Sequence, residues 1–265
     1  MGRLEIQDLH FSYTAGEEIL KGIDLVLEGR STAIIGQNGA GKTTFVKLLK
    51  GLLKPTGGRI LYDGTDLQGL TVAQIARSIG MVFQNPNDQI FKNKVLDEVM
   101  FGPMQIGMSK KQAEAKAQEA LEMVHLSSIQ KVNPYDLGLS ERKLISIAAI
   151  LAMDPDVMIF DEPTIAQDYA GKCCIGSIVR HLQAQGKLVL TIIHDMDFVA
   201  EYFDRAIVFA KGRVLLDDTP EKVFAQHDIL EQAYLEQPNV TQLCHALGYE
   251  KTFLTTDAFV AHLQK

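Results

Sequence analysis

The sequence is short of the features that mark several large classes of protein. Only three of its 265 residues are cysteines, Cys173, Cys174 and Cys244. Their spacing suits neither a disulfide framework nor a metal site, so we expect small buried hydrophobes in a reducing cytoplasm. No dense run of lysine and arginine occurs and the net charge is −7 at pH 7, which disfavours a nucleic-acid-binding protein.

Long apolar segments are missing as well. The N-terminus has no charged region followed by an apolar run, so we expect no signal peptide. No apolar run approaches the ~18 residues of a membrane span, so we expect a protein that is soluble by itself. The length suits one large domain, or a core with a smaller lobe.

The order of the remaining patterns predicts an α/β protein. “RSTAII”, “DVMIFDEP”, “LVLTIIHD” and “RAIVFAKGRVLL” are typical of buried strands, whereas “RLEIQDLHFSY” and “ILKGIDLVLEG” alternate as half-buried strands do. “GGRILYDGTDL” resembles another strand with a turn on each side. From about residue 85 to 149 the pattern becomes helical, with Ser109 as a helix N-cap. We therefore predict a parallel core with an inserted helical lobe.

A glycine-rich loop follows the first buried strand. Gly36, Gly41, Lys42 and Thr43 complete the pattern G-x-x-x-x-G-K-[ST], and a helix follows. Backbone N–H groups of such a loop surround phosphate, while the lysine reaches the β- and γ-phosphates and the hydroxyl of Thr43 binds Mg²⁺. The predicted ATP-binding residues of this loop are Gly36, Gln37, Asn38, Gly39, Ala40, Gly41, Lys42, Thr43 and Thr44.

Polar residues end two further apolar strands. In “VMIFDEP”, Asp161 is placed to hold Mg²⁺ through water, and Glu162 to orient or deprotonate an attacking water. In “TIIHD”, His194 is placed to contact the γ-phosphate. The two acids would otherwise be ordinary surface charge and the histidine a structural residue, but the loop upstream favours the catalytic interpretation.

In this order the motifs resemble those of an ATP-binding cassette (ABC) ATPase. The resemblance covers nearly the whole chain and implies a P-loop NTPase (RecA-like) core, an N-terminal antiparallel β subdomain and a helical subdomain. By position, Tyr13 in “FSY” resembles the aromatic that stacks on adenine, and His194 the switch histidine. Gln84 in “MVFQNP” resembles the glutamine that senses Mg²⁺ and γ-phosphate. Asp168 resembles the D-loop aspartate.

Two sequence segments indicate a group within the family. “FQNPNDQIF” and “DDTPEKVF” are similar to segments of the ATPases of energy-coupling factor (ECF) transporters, which import vitamins and transition-metal ions. The resemblance implies ATP and Mg²⁺ as cofactors, and as partners a second ABC ATPase subunit, a coupling membrane subunit and a substrate-binding membrane subunit. It implies a peripheral position on the cytoplasmic face of the membrane. It divides the chain into an ATPase domain, residues 1–219, and a short helical extension, residues 220–265.

The signature sequence departs from the family. Where the family has Leu-Ser-Gly-Gly-Gln, this chain reads “YDLGLSERKLISIAAILAMDP”. Without a gap, the signature positions are Gly138, Leu139, Ser140 and Glu141. A two-residue deletion would instead align Ser140 with the serine, but it would rotate the helix by about 200°, so we prefer the ungapped alignment. The D-loop “IAQD” is also unusual, with Gln167 where the family favours leucine.

Three functions compete at this stage. The first is an ATPase that drives a membrane importer; the second is an ABC ATPase of DNA repair or chromosome structure; the third is a P-loop kinase. The second class carries long coiled-coil or zinc-bearing insertions between the nucleotide motifs, and ribosome-acting relatives carry two cassettes. A kinase would need neither signature helix nor switch histidine. We therefore expect the importer ATPase, working as a heterodimer because of the altered signature; the alternative is a homodimer that tolerates it. Phe91, Val95 and Phe101 are candidates to line a groove for a membrane partner, or they form the core of the lobe.

Overall fold

The structure is a computed structural model that describes residues 2–249 and 251–264. Strands and helices alternate through most of this range. The strands are β1 (Arg3–Ser12), β2 (Glu18–Glu28), β3 (Ser31–Ile35), β4 (Gly57–Tyr62), β5 (Thr65–Asp66), β6 (Ile79–Val82), β7 (Val157–Asp161), β8 (Leu188–Ile192), β9 (Arg205–Ala210) and β10 (Arg213–Asp218). The helices are α1 (Lys42–Leu49), α2 (Val72–Ile75), α3 (Val95–Gln105), α4 (Lys110–Met123), α5 (Leu139–Leu151), α6 (Tyr169–Ala184), α7 (Met196–Tyr202), α8 (Pro220–Phe224), α9 (His227–Gln232), α10 (Asn239–Ala246) and α11 (Thr256–Leu263).

Two sheets organise the molecule. The larger sheet has six strands in the order β10-β9-β3-β8-β7-β6. Four of its five strand pairings are parallel, and that between β10 and β9 is antiparallel. The smaller sheet is antiparallel, in the order β2-β1-β4-β5. The predicted fold class, an α/β core with an N-terminal antiparallel subdomain, is confirmed.

Three neighbouring parallel strands position the candidate site. Every residue of β3, β7 and β8 is buried, as expected for strands covered by other elements on both faces. The carboxyl ends of parallel strands meet at one edge of the sheet. The loop after β3, the acids at the end of β7 and the histidine after β8 therefore come together there.

The inserted lobe consists of α3, α4 and α5, with α3 packed against both other helices. Helix α4 begins at the predicted N-cap, because the Ser109 side chain accepts from the Gln112 backbone N–H and the Gln112 side chain accepts in return from Ser109. Small side chains of α4 face the other helices of the lobe and are fully buried at Ala113 and Ala117. The predicted helical region, about residues 85–149, ends two residues before the end of α5 at Leu151.

Two of the predicted strand segments contain a tight turn. “RAIVFAKGRVLL” turns at Lys211 and Gly212, whose φ angles are 49° and 81°, and “GGRILYDGTDL” turns at Asp63 and Gly64, with φ angles of 45° and 80°. Paired positive φ angles are those of the tight turns that connect antiparallel strands, and glycine at the second position permits them. The prediction of one strand was wrong for “RAIVFAKGRVLL”, which forms β9 and β10; in “GGRILYDGTDL” the predicted strand is β4, and the turn follows it.

The tail after β10 folds into the short helices α8 to α11, as predicted. Its last part has a small core of its own, formed by Val240, Cys244, Phe253 and Phe259. The boundary between an ATPase domain and an extension at residues 219 and 220 stays a prediction.

Candidate nucleotide-binding and hydrolysis site

The loop between β3 and α1 needs glycine at two positions. Gly36 has φ of 151°, and a Cβ there would lie 2.2 Å from the backbone oxygen of Phe209. Gly41 has φ of 99° and is the N-cap of α1, so its conformation also disfavours a side chain. The main chain of the loop therefore passes close to β9 at Gly36 and leads at Gly41 into α1, whose N-terminal N–H groups attract phosphate.

Lys42 is almost fully buried at the start of α1. Its Nζ donates to the carbonyl oxygens of Gly36 at 2.5 Å and of Gln37 at 2.9 Å. Burial lowers the pKa of this ammonium, while the negative charges of Glu162 and Asp161 act in the opposite direction. The charge is thus held inside the phosphate loop, where the sequence predicts it.

Asp161 ends β7 with properties that suit a metal ligand. Burial raises the pKa of its carboxyl, and the neighbouring charge of Glu162 raises it further. Its Oδ1 atom is buried and has no hydrogen-bond partner among the described residues. An orphaned, hard oxygen at this position fits Mg²⁺, which prefers carboxylates, hydroxyl oxygens and water.

Glu162 lies between two other predicted site residues. Gln84 Nε2 donates to one carboxylate oxygen, Oε2, at 2.6 Å, and His194 Nε2 lies 3.0 Å from the other, Oε1. Glu162 has a positive φ of 50°, uncommon for a residue with a side chain, and its N–H donates to Ile192 O at 3.0 Å. Such a conformation is costly and is found where a side chain must be aimed. The structure therefore brings together three residues that the sequence separates widely.

Tyr13 projects beside the phosphate loop. Its ring is 60% exposed and packs edge-on against Phe11, with the centroids 4.8 Å apart. Its hydroxyl lies 3.3 Å from the Thr44 hydroxyl in the first turn of α1. An exposed aromatic face next to a phosphate loop can stack on a nucleotide base.

The comparisons with known proteins agree with this geometry. A family model described as ABC transporter matches residues 20–165. This chain belongs to the ABC transporter ATPase family. The energy-coupling factor transporter ATP-binding protein EcfA of Methanocaldococcus jannaschii is 35% identical over 248 residues, covering 92% of this chain and 89% of its own. EcfA of Methanothermobacter thermautotrophicus is 35% identical over 253 residues, covering 93% and 81%.

Solved structures of ABC ATPases superpose on this chain and support the same family by its fold. CbiO1 from Clostridium perfringens, described as part of the ABC transporter complex cbiONQ, superposes with a TM-score of 0.78 at 32% identity, covering 91% of this chain and 98% of that one. A dimeric ATP-binding cassette bound to ADP and Pi superposes with a TM-score of 0.75 at 26% identity, covering 82% and 98%. The prediction of an ATPase of this family is confirmed.

The signature end of this ABC ATPase lies apart from the residues described so far. Helix α5 begins at Leu139 with Gly138 as its N-cap, and the alignment of these residues with the family signature stays a prediction. A Cβ on Gly138 would lie 2.6 Å from Oε2 of Glu141, so that carboxylate folds back over the helix N-terminus. Within the described residues, no hydrogen bond joins Gly138–Glu141 to the phosphate loop or to Glu162.

The two unusual residues of the signature and the D-loop contact each other. Ser140 Oγ donates to Gln167 Oε1 at 2.9 Å, and Gln167 Nε2 donates to Ser140 O at 3.2 Å. Asp168 is the N-cap of α6 and accepts from the Gly171 N–H at 2.8 Å. Sequence reasoning noted both departures separately and missed that they form a pair.

One further buried residue escaped the sequence analysis. Lys143 is 2% exposed in α5, and its ammonium donates to the backbone carbonyls of Phe83, at 3.1 Å, and Gln84. The available signal was a lysine followed by a long apolar stretch, “KLISIAAIL”. That pattern alone does not reveal what the ammonium contacts.

Proposed function

We propose that this chain is the ATP-hydrolysing subunit of an ECF-type membrane importer of vitamins or transition-metal ions. The observation that carries the proposal is the arrangement of Gln84, Glu162 and His194 at the sheet edge that also holds Lys42. The names of the EcfA relatives support the ECF assignment.

The proposed chemistry is the transfer of the γ-phosphoryl group of ATP to water. Glu162 accepts a proton from the attacking water as the new O–P bond forms and the bond to the β-phosphate oxygen breaks. Each of its carboxylate oxygens has one partner, Gln84 or His194, and keeps a further lone pair that can accept from the water. Lys42 stabilises charge on the phosphates, and His194 positions the water.

We assign the metal site to Asp161, Thr43 and Gln84. Mg²⁺ bound there, in part through water, would neutralise charge on the β- and γ-phosphates. The assignment is supported by the unpartnered Oδ1 of Asp161 and by the oxygen atoms that all three side chains offer.

A groove on the lobe is the proposed docking site for a membrane partner. It has a volume of about 560 Å³ and lies between α2, α3 and α5, with Phe91, Phe101 and Met153 among its lining residues. Phe91 is 54% exposed, so its ring is accessible to a partner in the groove. The prediction that Val95 lines it was wrong, because Val95 is fully buried in the main core. The proposed occupant is a short helix from a cytoplasmic loop of the coupling subunit.

We place the chain on the cytoplasmic face of the membrane, held there by its partners. None of the helices in residues 2–249 and 251–264 is long and apolar enough to cross a bilayer. CbiO1, the similar solved structure, is described as part of a transporter complex. Attachment through the groove accounts for membrane association without a spanning helix.

We further propose a heterodimer with a different ABC ATPase subunit. In the family, one chain's signature completes the ATP site of the other. Here Gly138 offers no hydroxyl, Leu139 adds a side chain, and Glu141 places a carboxylate at the helix end that would meet phosphate. The partner's ATP site is therefore poor, whereas the residues of this chain's own site are all present. The competing possibility, a homodimer that tolerates the altered signature, would leave both sites poor.

The nucleic-acid alternative has no specific support. The segment between the two nucleotide motifs folds into the compact lobe of α3 to α5, and the net charge is −7. A tagged chain purified from detergent-solubilised membranes of its own source tests the proposal. Co-purification of multi-spanning membrane proteins at fixed stoichiometry is expected; recovery with nucleic acid and without membrane proteins would contradict it.

A further inference from the structure

The proposed hydrolysis site leaves the burial of Lys143 unexplained. Burying an ammonium group costs free energy unless hydrogen bonds replace those of water. Burial lowers the pKa of Lys143 to about 8, and the negative charges of Asp161 and Glu162 act in the opposite direction. Its neighbours Leu144 and Ile145 are buried apolar residues. An apolar side chain would fill this position at lower cost, so the lysine has another role.

The partners of Lys143 indicate that role. Nζ donates to the carbonyl oxygens of Phe83 and Gln84, which directly follow the end of β6. The side chain of the same Gln84 donates to Glu162 at 2.6 Å. The ammonium therefore holds the main chain of the residue whose amide contacts the proposed base.

Further hydrogen bonds attach the same segment to α5. Gln89 Oε1 accepts from the Phe83 N–H at 3.2 Å, and Gln89 Nε2 donates to Ser146 O at 3.1 Å. Arg142 Nη1 donates to Asn87 Oδ1 at 2.7 Å. Residues 83–89 are thus bound to α5 at successive positions, so a movement of the lobe carries this segment with it.

We propose that Lys143 is a positioning residue for ATP hydrolysis: by holding the Phe83 and Gln84 carbonyls, it transmits the position of α5 to the Gln84 side chain and through it to Glu162. Lys143 itself touches neither Glu162 nor water in this role. The inference rests on the proposed hydrolysis at Glu162 and adds the residue that links the lobe to it.

The chain offers a matched control in Lys50. This lysine is the C-cap of α1, and its Nζ donates to Ile79 O at 2.5 Å. Burial lowers its pKa to about 8 as well. It therefore makes the same kind of bond to β6 at the opposite end of the strand, with no connection to Gln84. If the loss of a buried ammonium affects only folding, the variants of both lysines will show that effect.

The test measures ATPase kcat, KM and thermal stability of the detergent-purified complex. Lys143→Met keeps an unbranched side chain and should lower kcat by about 10- to 100-fold with KM nearly unchanged, because small misplacements of catalytic groups are costly. Lys143→Arg, which keeps a charged donor, should recover most of the loss. Lys50→Met should lower Tm and leave kcat close to wild type. An unchanged kcat in Lys143→Met, or an equal loss in Lys50→Met, would overturn the inference.

A double-mutant cycle with Gln84→Ala tests whether Lys143 acts through Gln84. In that background Lys143→Met should lower kcat little further, whereas independent effects would multiply and contradict the proposal. If Lys143→Met does not fold, Lys143→Gln enters the same cycle with the same two outcomes. Glu162→Gln is measured in the same assay. If Glu162→Gln leaves turnover intact, the proposed function fails. If Glu162→Gln abolishes turnover and Lys143→Met leaves it intact, only this inference fails.

Discussion

Among single residues, we expect Lys42 to have the most direct effect on nucleotide affinity. Its ammonium is already held within the phosphate loop by the carbonyls of Gly36 and Gln37, so it is oriented before nucleotide binds. Lys42→Ala should weaken ATP binding by about 1.5–3 kcal/mol for each charge-assisted hydrogen bond that it removes. Titration calorimetry measures this. The exposed Lys54, just beyond α1, supplies the control variant Lys54→Ala, and equal affinities for the two variants would contradict the site.

Residue identities alone were enough to predict a candidate site at the carboxyl edge of the sheet, because its chemistry depends on short sequence patterns. A strand followed by a complete phosphate loop specifies the positions of Lys42 and Thr43, and two acids after a buried strand specify Asp161 and Glu162. The contacts of Gln84 with Glu162 and of Lys143 with Gln84 were beyond such reasoning. The first contact joins residues 78 positions apart and the second joins residues 59 positions apart. Which atoms meet depends on how the lobe packs on the core.

At the level of elements, Ser140 and Gln167 link the start of α5 to the loop before α6. The Ser140 hydroxyl donates to Gln167 Oε1, and Gln167 Nε2 donates to the main-chain oxygen of Ser140. Ser140→Ala and Gln167→Leu should each lower the free energy of unfolding by about 0.5–1.5 kcal/mol. The double variant should lose less than the sum, because either change alone removes the bond between Ser140 Oγ and Gln167 Oε1, whereas the bond to the main-chain oxygen of Ser140 depends on Gln167 only. Urea denaturation of the four proteins measures the coupling; strict additivity would show that the pair does not interact in solution.

The groove between α2, α3 and α5 gives a second prediction at this level. Phe91 and Phe101 pack edge-on with centroids 4.8 Å apart, and Lys92 lies over both rings. Phe91→Asp combined with Phe101→Asp should release the chain from membranes while ATP binding persists, because a charge in the groove disfavours an apolar helix. Membrane flotation measures this, with Val26→Asp, at an exposed position on β2, as the control.

Two outcomes would contradict the groove assignment. If the double variant unfolds, these aromatic residues belong to the core of the lobe. If it folds and still floats with membranes, the partner docks elsewhere. The burial of Val95 shows why the sequence was insufficient here. The apolar residues of a helical pattern can be assigned to the core or to the surface only when the opposing helices are known.

For the whole molecule, the altered signature predicts an asymmetric assembly. Native mass spectrometry of the detergent-purified complex should find one copy of this chain together with one copy of a different ABC ATPase. The isolated chain should hydrolyse ATP weakly, because any homodimer would place Leu139 and Glu141 against both nucleotides. Two copies of this chain in the complex, or strong activity from the isolated chain, would contradict the asymmetry.

The central claim is that this chain hydrolyses ATP at Glu162 within a membrane complex. Its most direct test is Mg²⁺-dependent ATP turnover by the complex carrying Glu162→Gln, which keeps the shape of the side chain and removes the base. Glu122→Gln, at an exposed position in α4, is the matched control. We expect turnover to fall by about 10²–10⁴-fold in Glu162→Gln, with ATP still bound, and to stay at the wild-type level in the control. Wild-type turnover by Glu162→Gln would contradict the account.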